Sequence, residues 1–111
     1  MAELTQTVFE KERAIGLAVQ MPGQTDEEIR LSLEELGELL KTADVEMVGT
    51  LIQKRDRVSR ALYMGSGKTD EIADAAKAAG ANLIVADDEL TALQIKTIEE
   101  ATGVPVCDRT S

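Results

Sequence analysis

Four short apolar runs alternate with three segments of helical periodicity, and this alternation constrains the chain more than any other feature. The runs are Ala14–Gln20, Val45–Gln53, Asn82–Asp87 and Val104–Asp108. They are short and rich in β-branched residues, which is the pattern of strands. Pro22-Gly23 closes the first. Behind that turn, Thr25 and Glu28 form a T-x-x-E capping box, in which hydroxyl and carboxylate satisfy backbone N–H groups that a helix start leaves open. Ile29, Leu33, Leu36, Leu40 and Ala43 then recur on one helical face, predicting a helix over about 25–43 with Glu34, Glu35 and Glu38 on its solvated side. Ile72, Ala75, Ala76 and Ala79 mark a second helix, stopped by Gly80. Thr91 and Gln94 form another capping box and open a third, which ends near Thr102 at Gly103. Pro105 suits the start of a strand or an edge, since it cannot donate to a ladder.

The order β-α-β-loop-α-β-α-β predicts an α/β fold. It is expected to be a three-layer α/β/α domain on a four-stranded parallel sheet of order 2-1-3-4, with right-handed crossovers on both faces. The 111 residues hold one core, not two. Residues 1–13 read as a flexible leader and 14–111 as the domain.

Composition removes whole classes of chemistry. There is no histidine, hence no His-based triad, no His general base and no ordinary zinc site. A single cysteine, Cys107, excludes an internal disulfide and is expected to lie buried beside Val106, unreactive. No apolar run is long enough to span a bilayer, and the N-terminus lacks the layout of a secretory signal, so no membrane partner and a cytoplasmic location are expected. Phe9 and Tyr63 are the only aromatics, so platforms for stacking bases are nearly absent. Tyr63 either stacks on a base or packs inside.

The net charge of −9 opposes nucleic acid on average, but it is unevenly spread. Between Thr50 and Thr69 lie Lys54, Arg55, Arg57, Arg60 and Lys68 against one acid, Asp56. Such a cluster on an acidic domain either directs contacts to phosphates or balances acidic neighbours as a solvated loop. The adjoining GSGKT at 65–69 resembles a phosphate loop but fails the spacing, because a G-x-x-x-x-G-K-[ST] motif needs glycine where Leu62 stands. What remains is a turn, Gly65, Ser66, Gly67 and Thr69, feeding a helix N-terminus. It can hold an anion with Lys68, or it is a tight turn with an exposed lysine. Asp87, Asp88 and Glu89 follow a buried strand. They read as Mg²⁺ ligands or, more simply, as acids favoured before the helix at Thr91. Asp108 ends the fourth strand and can neighbour Asp87, though nothing supplies a substrate for such a pair. No catalytic residue and no metal ligand is assigned.

Four segments together resemble the N-terminal domain of the HflX GTPases: Gln53–Arg55 (QKR), Gly65–Lys68 (GSGK), Asp87–Leu90 (DDEL) and Asp108–Thr110 (DRT). The likeness runs from Ala14 to Ser111. It implies an N-terminal α/β domain, followed in the family by a helical hairpin and a GTP- and Mg²⁺-binding G domain. It also implies association with the large ribosomal subunit and its RNA, rescue or splitting of stalled ribosomes, and modulation of the GTPase. ATP binding by the N-terminal region is a further implied property. The sequence stops where the hairpin would begin and holds no G-domain motif. The expected role is therefore a non-enzymatic binding and regulatory piece of a longer GTPase. The alternatives are an ATP-binding module built on residues 65–69 and a structural domain that packs on the missing G domain.

Overall fold

A computed structural model describes residues 11–58 and 62–109, with the backbone alone at Ser66. The order is β1 (Glu12–Gln20), α1 (Asp26–Thr42), β2 (Val45–Lys54), α2 (Ser66–Ala79), β3 (Leu83–Ala86), α3 (Ala92–Thr102) and β4 (Val106–Asp108). The strands form one parallel sheet ordered β2-β1-β3-β4, as the alternation predicts.

Period-two alternation along β1 builds both layers. Ile15, Leu17 and Val19 face α2 and α3, where they pack with Ile72, Ala76, Ile84 and Ile98. Ala14 and Ala18 face the other way, onto Ile29, Leu33 and Leu36 of α1. Small residues on that face let α1 approach closely. At Gly16 a Cβ would come within 2.7 Å of the Met47 sulfur on the neighbouring strand β2 and 3.6 Å of Leu33 on α1, so that position takes only glycine without a shift of Met47. Helix α1 thus covers one face alone while α2 and α3 share the other.

The helix ends follow their local signals. Both capping boxes form: Thr25 Oγ1 accepts from Glu28 N–H and Thr91 Oγ1 from Gln94 N–H, with both reciprocal bonds present. Gly80 closes α2 at φ +67°, a left-handed position that an L side chain adopts only at a cost. Asp44 takes the same conformation after α1, at φ +62°.

Some boundaries shift for physical reasons. The strand begins at Glu12, inside the expected leader, because Arg13 and Asn82 exchange two hydrogen bonds and Arg13 Nε donates to the Gly80 carbonyl. Residues 1–10 of that leader lie outside the described residues. β4 is shorter than expected, because Val104 N–H turns to the Thr102 hydroxyl and Pro105 has no N–H to give. Cys107 is half-buried on the α1 side of the sheet, beside Val85 and opposite to Val106, as alternation along a strand requires. Burial pushes its thiol pKa up.

Candidate functional site at the carboxyl edge

All four strands end at one edge of the sheet, and the loops that leave them carry the polar chemistry. Lys54 ends β2, and its ammonium stands 3.9 Å from Asp26, with both groups largely exposed. An exposed pair at that separation holds weakly and leaves the lysine available. Arg55 is tied down: its N–H donates to the Gln20 carbonyl, and its guanidinium donates to the Tyr63 carbonyl at 3.2 Å. It stitches the loop across to the start of α2. Arg57 is exposed. Arg60 lies outside the described residues. Lys68 is on the first turn of α2, largely covered, with its Nζ 3.0 Å from Glu71. The described members of the basic cluster therefore meet at one edge, but only Lys54 and Arg57 hold their charges out to solvent.

The Gly-rich turn is the N-terminus of α2. Gly65 is its N-cap and makes no side-chain capping bond, in contrast to α1 and α3. The Gly65 N–H donates to Gln53 Oε1 at 2.8 Å, and a Cβ on Gly65 would press against that amide at 3.3 Å. Gly67 opens onto free space. Thr69 is buried, which withholds it from an anion at the turn. The side chain of Ser66 lies outside the described residues.

The strand-end acids diverge. Asp87 is buried: its Oδ2 accepts from the Ser32 hydroxyl at 2.6 Å, and its Oδ1 stands 3.4 Å from the Arg109 guanidinium. Burial raises its pKa, while Ser32 and Arg109 pull it back. Arg109 also donates to Glu35 at 3.1 Å. Asp88 accepts from the Tyr63 hydroxyl at 2.6 Å. Asp108 Oδ2 accepts from Leu90 N–H at 2.8 Å, which anchors the loop before α3. Asp87 and Asp108 are thus engaged in separate structural bonds and do not act as a pair. Among the described residues no three His, Cys, Asp or Glu side chains gather into a metal site. Tyr63 is buried, with its phenol pKa pushed up by burial and by the Asp88 carboxylate. It packs inside and offers no stacking face.

Sequence reading missed Gln53, Ser32, Glu35 and Arg109 as parts of this edge. Of these, Gln53 and Arg109 lie within the segments that carry the HflX likeness, so a signal for them existed.

A family model described as the GTP-binding GTPase N-terminal domain matches residues 30–111. A GTPase HflX of Caldanaerobacter subterraneus is 42% identical over 102 residues, covering 92% of this chain and 23% of that protein. A GTPase HflX of Lacrimispora saccharolytica is 40% identical over 110 residues, covering 99% of this chain and 26% of its own length. One of Alkalihalophilus pseudofirmus is 36% identical over 110 residues, covering 99% and 25% respectively. The chain spans about a quarter of the length of these relatives. With the parallel sheet ordered β2-β1-β3-β4 and a match over most of its length, the chain belongs to the GTP-binding GTPase N-terminal family and corresponds to the N-terminal domain of the HflX GTPases.

Proposed function

We propose that this domain is a non-catalytic binding and regulatory module of an HflX-type GTPase, which meets phosphates of the large ribosomal subunit through its carboxyl edge. The reading is carried by the placement of Lys54, Arg55, Arg57 and Lys68 at one edge of an otherwise acidic molecule, beside the glycine N-cap of α2. A local cation cluster on a domain of net charge −9 favours contacts that are directed and discourages promiscuous ones. Lys54 and Arg57 reach the phosphates, and Arg55 holds the loop that presents them. GTP, Mg²⁺ and hydrolysis belong to the longer protein, in a cytoplasmic setting with its ribosomal partner. None of the described helices is long and apolar enough to cross a membrane.

The ATP-binding alternative draws less support. The Gly65 N–H is committed to Gln53, Lys68 to Glu71, and Thr69 is buried. A structural role beside the binding one has a specific observation behind it. Leu31 and Leu39, eight residues apart on α1, are 51% and 49% exposed, which suits packing against another part of the longer protein.

The test is co-sedimentation of large ribosomal subunits with the full-length protein carrying Lys54→Glu and Arg57→Glu. Binding should weaken, and the slope of log affinity against log salt should flatten by about 0.7 for each phosphate no longer neutralised. Unchanged binding and slope would refute the reading.

A further inference from the structure

A four-stranded sheet is about 14 Å across between its outer strands, and packed helices lie about 10 Å apart, so each face has room for two helices side by side. One face has its pair: α2 lies over β2 and β1, and α3 over β4. The other face has α1 alone among the described residues, lying over β2 and β1. Beside it, over β3 and β4, about one helix width is left. The floor of this strip is Leu83 and Cys107, which alternation along their strands turns to the α1 side and which are only half-buried. Its wall is the flank of α1 that carries Ser32, Glu35 and Leu39. Ser32 reaches Asp87 at the end of β3 and Glu35 reaches Arg109 beyond β4, so Leu39, one turn past Glu35, lies on the same flank. Leu39 is 49% exposed. Gly37 marks the opposite flank, against Met47 of β2.

The chain leaves the fold at the end of this strip. After β4 it turns at Arg109, whose side chain stands on the α1 face between Asp87 and Glu35. The family is an N-terminal one, and the chain spans about a quarter of the length of its relatives, so in them a long stretch follows. Residues 1–10 join the fold elsewhere: Lys11 pairs with Asp44, just ahead of β2, the edge opposite β4. The face of a sheet offers no free backbone groups, so whatever covers the strip must satisfy its own, as a helix does.

We infer that the segment directly after Ser111 in the longer protein folds back as an amphipathic helix beside α1, running from the carboxyl edge toward the amino edge, with its apolar face on Leu39, Leu83 and Cys107. Two to three turns, about 8–11 residues, cover the strip from Arg109 to Leu39. This helix completes the second layer and gives Leu39 a partner within the same polypeptide. The inference is independent of the phosphate reading, and its test contains no RNA.

The test uses the full-length protein with p-benzoylphenylalanine in place of Leu39. It is irradiated and digested, and the joined peptides are identified by mass spectrometry. Expected is an intramolecular cross-link to a peptide within about 20 residues after Ser111. A second measurement is alkylation of Cys107 by N-ethylmaleimide, read on its own peptide. Leu39→Glu should raise that labelling rate at least about tenfold by undocking the helix, whereas Leu93→Glu, at a position 51% exposed on α3, should leave it unchanged. Four results overturn the inference: a cross-link to residues 1–10 or to a later part of the chain, a cross-link between two molecules, no cross-link at all, or the same labelling rate in the parent and in Leu39→Glu. Equal acceleration by Leu93→Glu overturns it as well, because general loosening would then be what opens Cys107.

Discussion

Replacing Arg109 by methionine isolates the charge at the junction of α1, β3 and β4, because methionine keeps much of the stem and removes the guanidinium. Asp87 is 6% exposed and Arg109 29%, with 3.4 Å between their charged atoms. Unit charges at that distance attract by about 5 kcal/mol at an effective dielectric near 20, and by about 1 kcal/mol in bulk water. A partly covered pair lies between these limits, so Arg109→Met should cost about 2 kcal/mol at pH 7. Glu35 adds little, since its carboxylate is 69% exposed. The loss has a pH signature. Burial raises the Asp87 pKa, so in the parent protein the unfolded chain gives up that proton first, and stability falls as pH climbs from the unfolded value to the folded one. Without Arg109 the folded pKa rises further. The cost of the substitution is therefore full above the variant's folded pKa. It fades as pH falls, and it is gone below the unfolded value, where Asp87 is neutral in both proteins. Urea denaturation followed by circular dichroism at pH 7 and at about pH 3 measures both limits. An equal loss at the two pH values would show that Arg109 acts through packing and would refute the electrostatic argument.

Three further outcomes are expected. Leu17→Ala, at a fully buried position of the central strand, should cost about 2–5 kcal/mol, a large share of the stability of a domain this size, as read by the urea midpoint. Thr91→Ala should cost about 1 kcal/mol by removing the hydroxyl that caps α3, and Thr91→Ser should restore most of it. Asp44→Gly should raise stability by about 1 kcal/mol, because glycine adopts φ +62° without the penalty of a Cβ, and an unchanged melting temperature would contradict this.

The helices and their starts were legible because their causes are local. A threonine and the Glu or Gln three residues on contain both halves of a capping box, and the structure forms each where the residues stand. The layers were legible for a related reason. Ile15, Leu17 and Val19 alternate with Ala14 and Ala18, and alternation alone assigns them to opposite faces. The site was legible only in outline. The run Lys54 to Lys68 showed where cations concentrate, but not that Arg55 and Lys68 spend their charges on internal partners while Lys54 and Arg57 keep theirs outside.

By itself the sequence determined the element order, the parallel sheet, the helix caps and the edge at which polar residues collect. Each follows from side-chain periodicity or from hydrogen bonds between near neighbours. Only the tertiary structure decided what the strand-end acids do. Ser32 reaches Asp87 across 55 residues, and Arg109 reaches Glu35 across 74. Tyr63 meets Asp88 across 25. Nothing local distinguishes Asp87 from Asp88: adjacent residues at a strand end point to opposite sides, one into the α1 layer and the other toward Tyr63. Their chemistry is set by what the crossovers bring to each side.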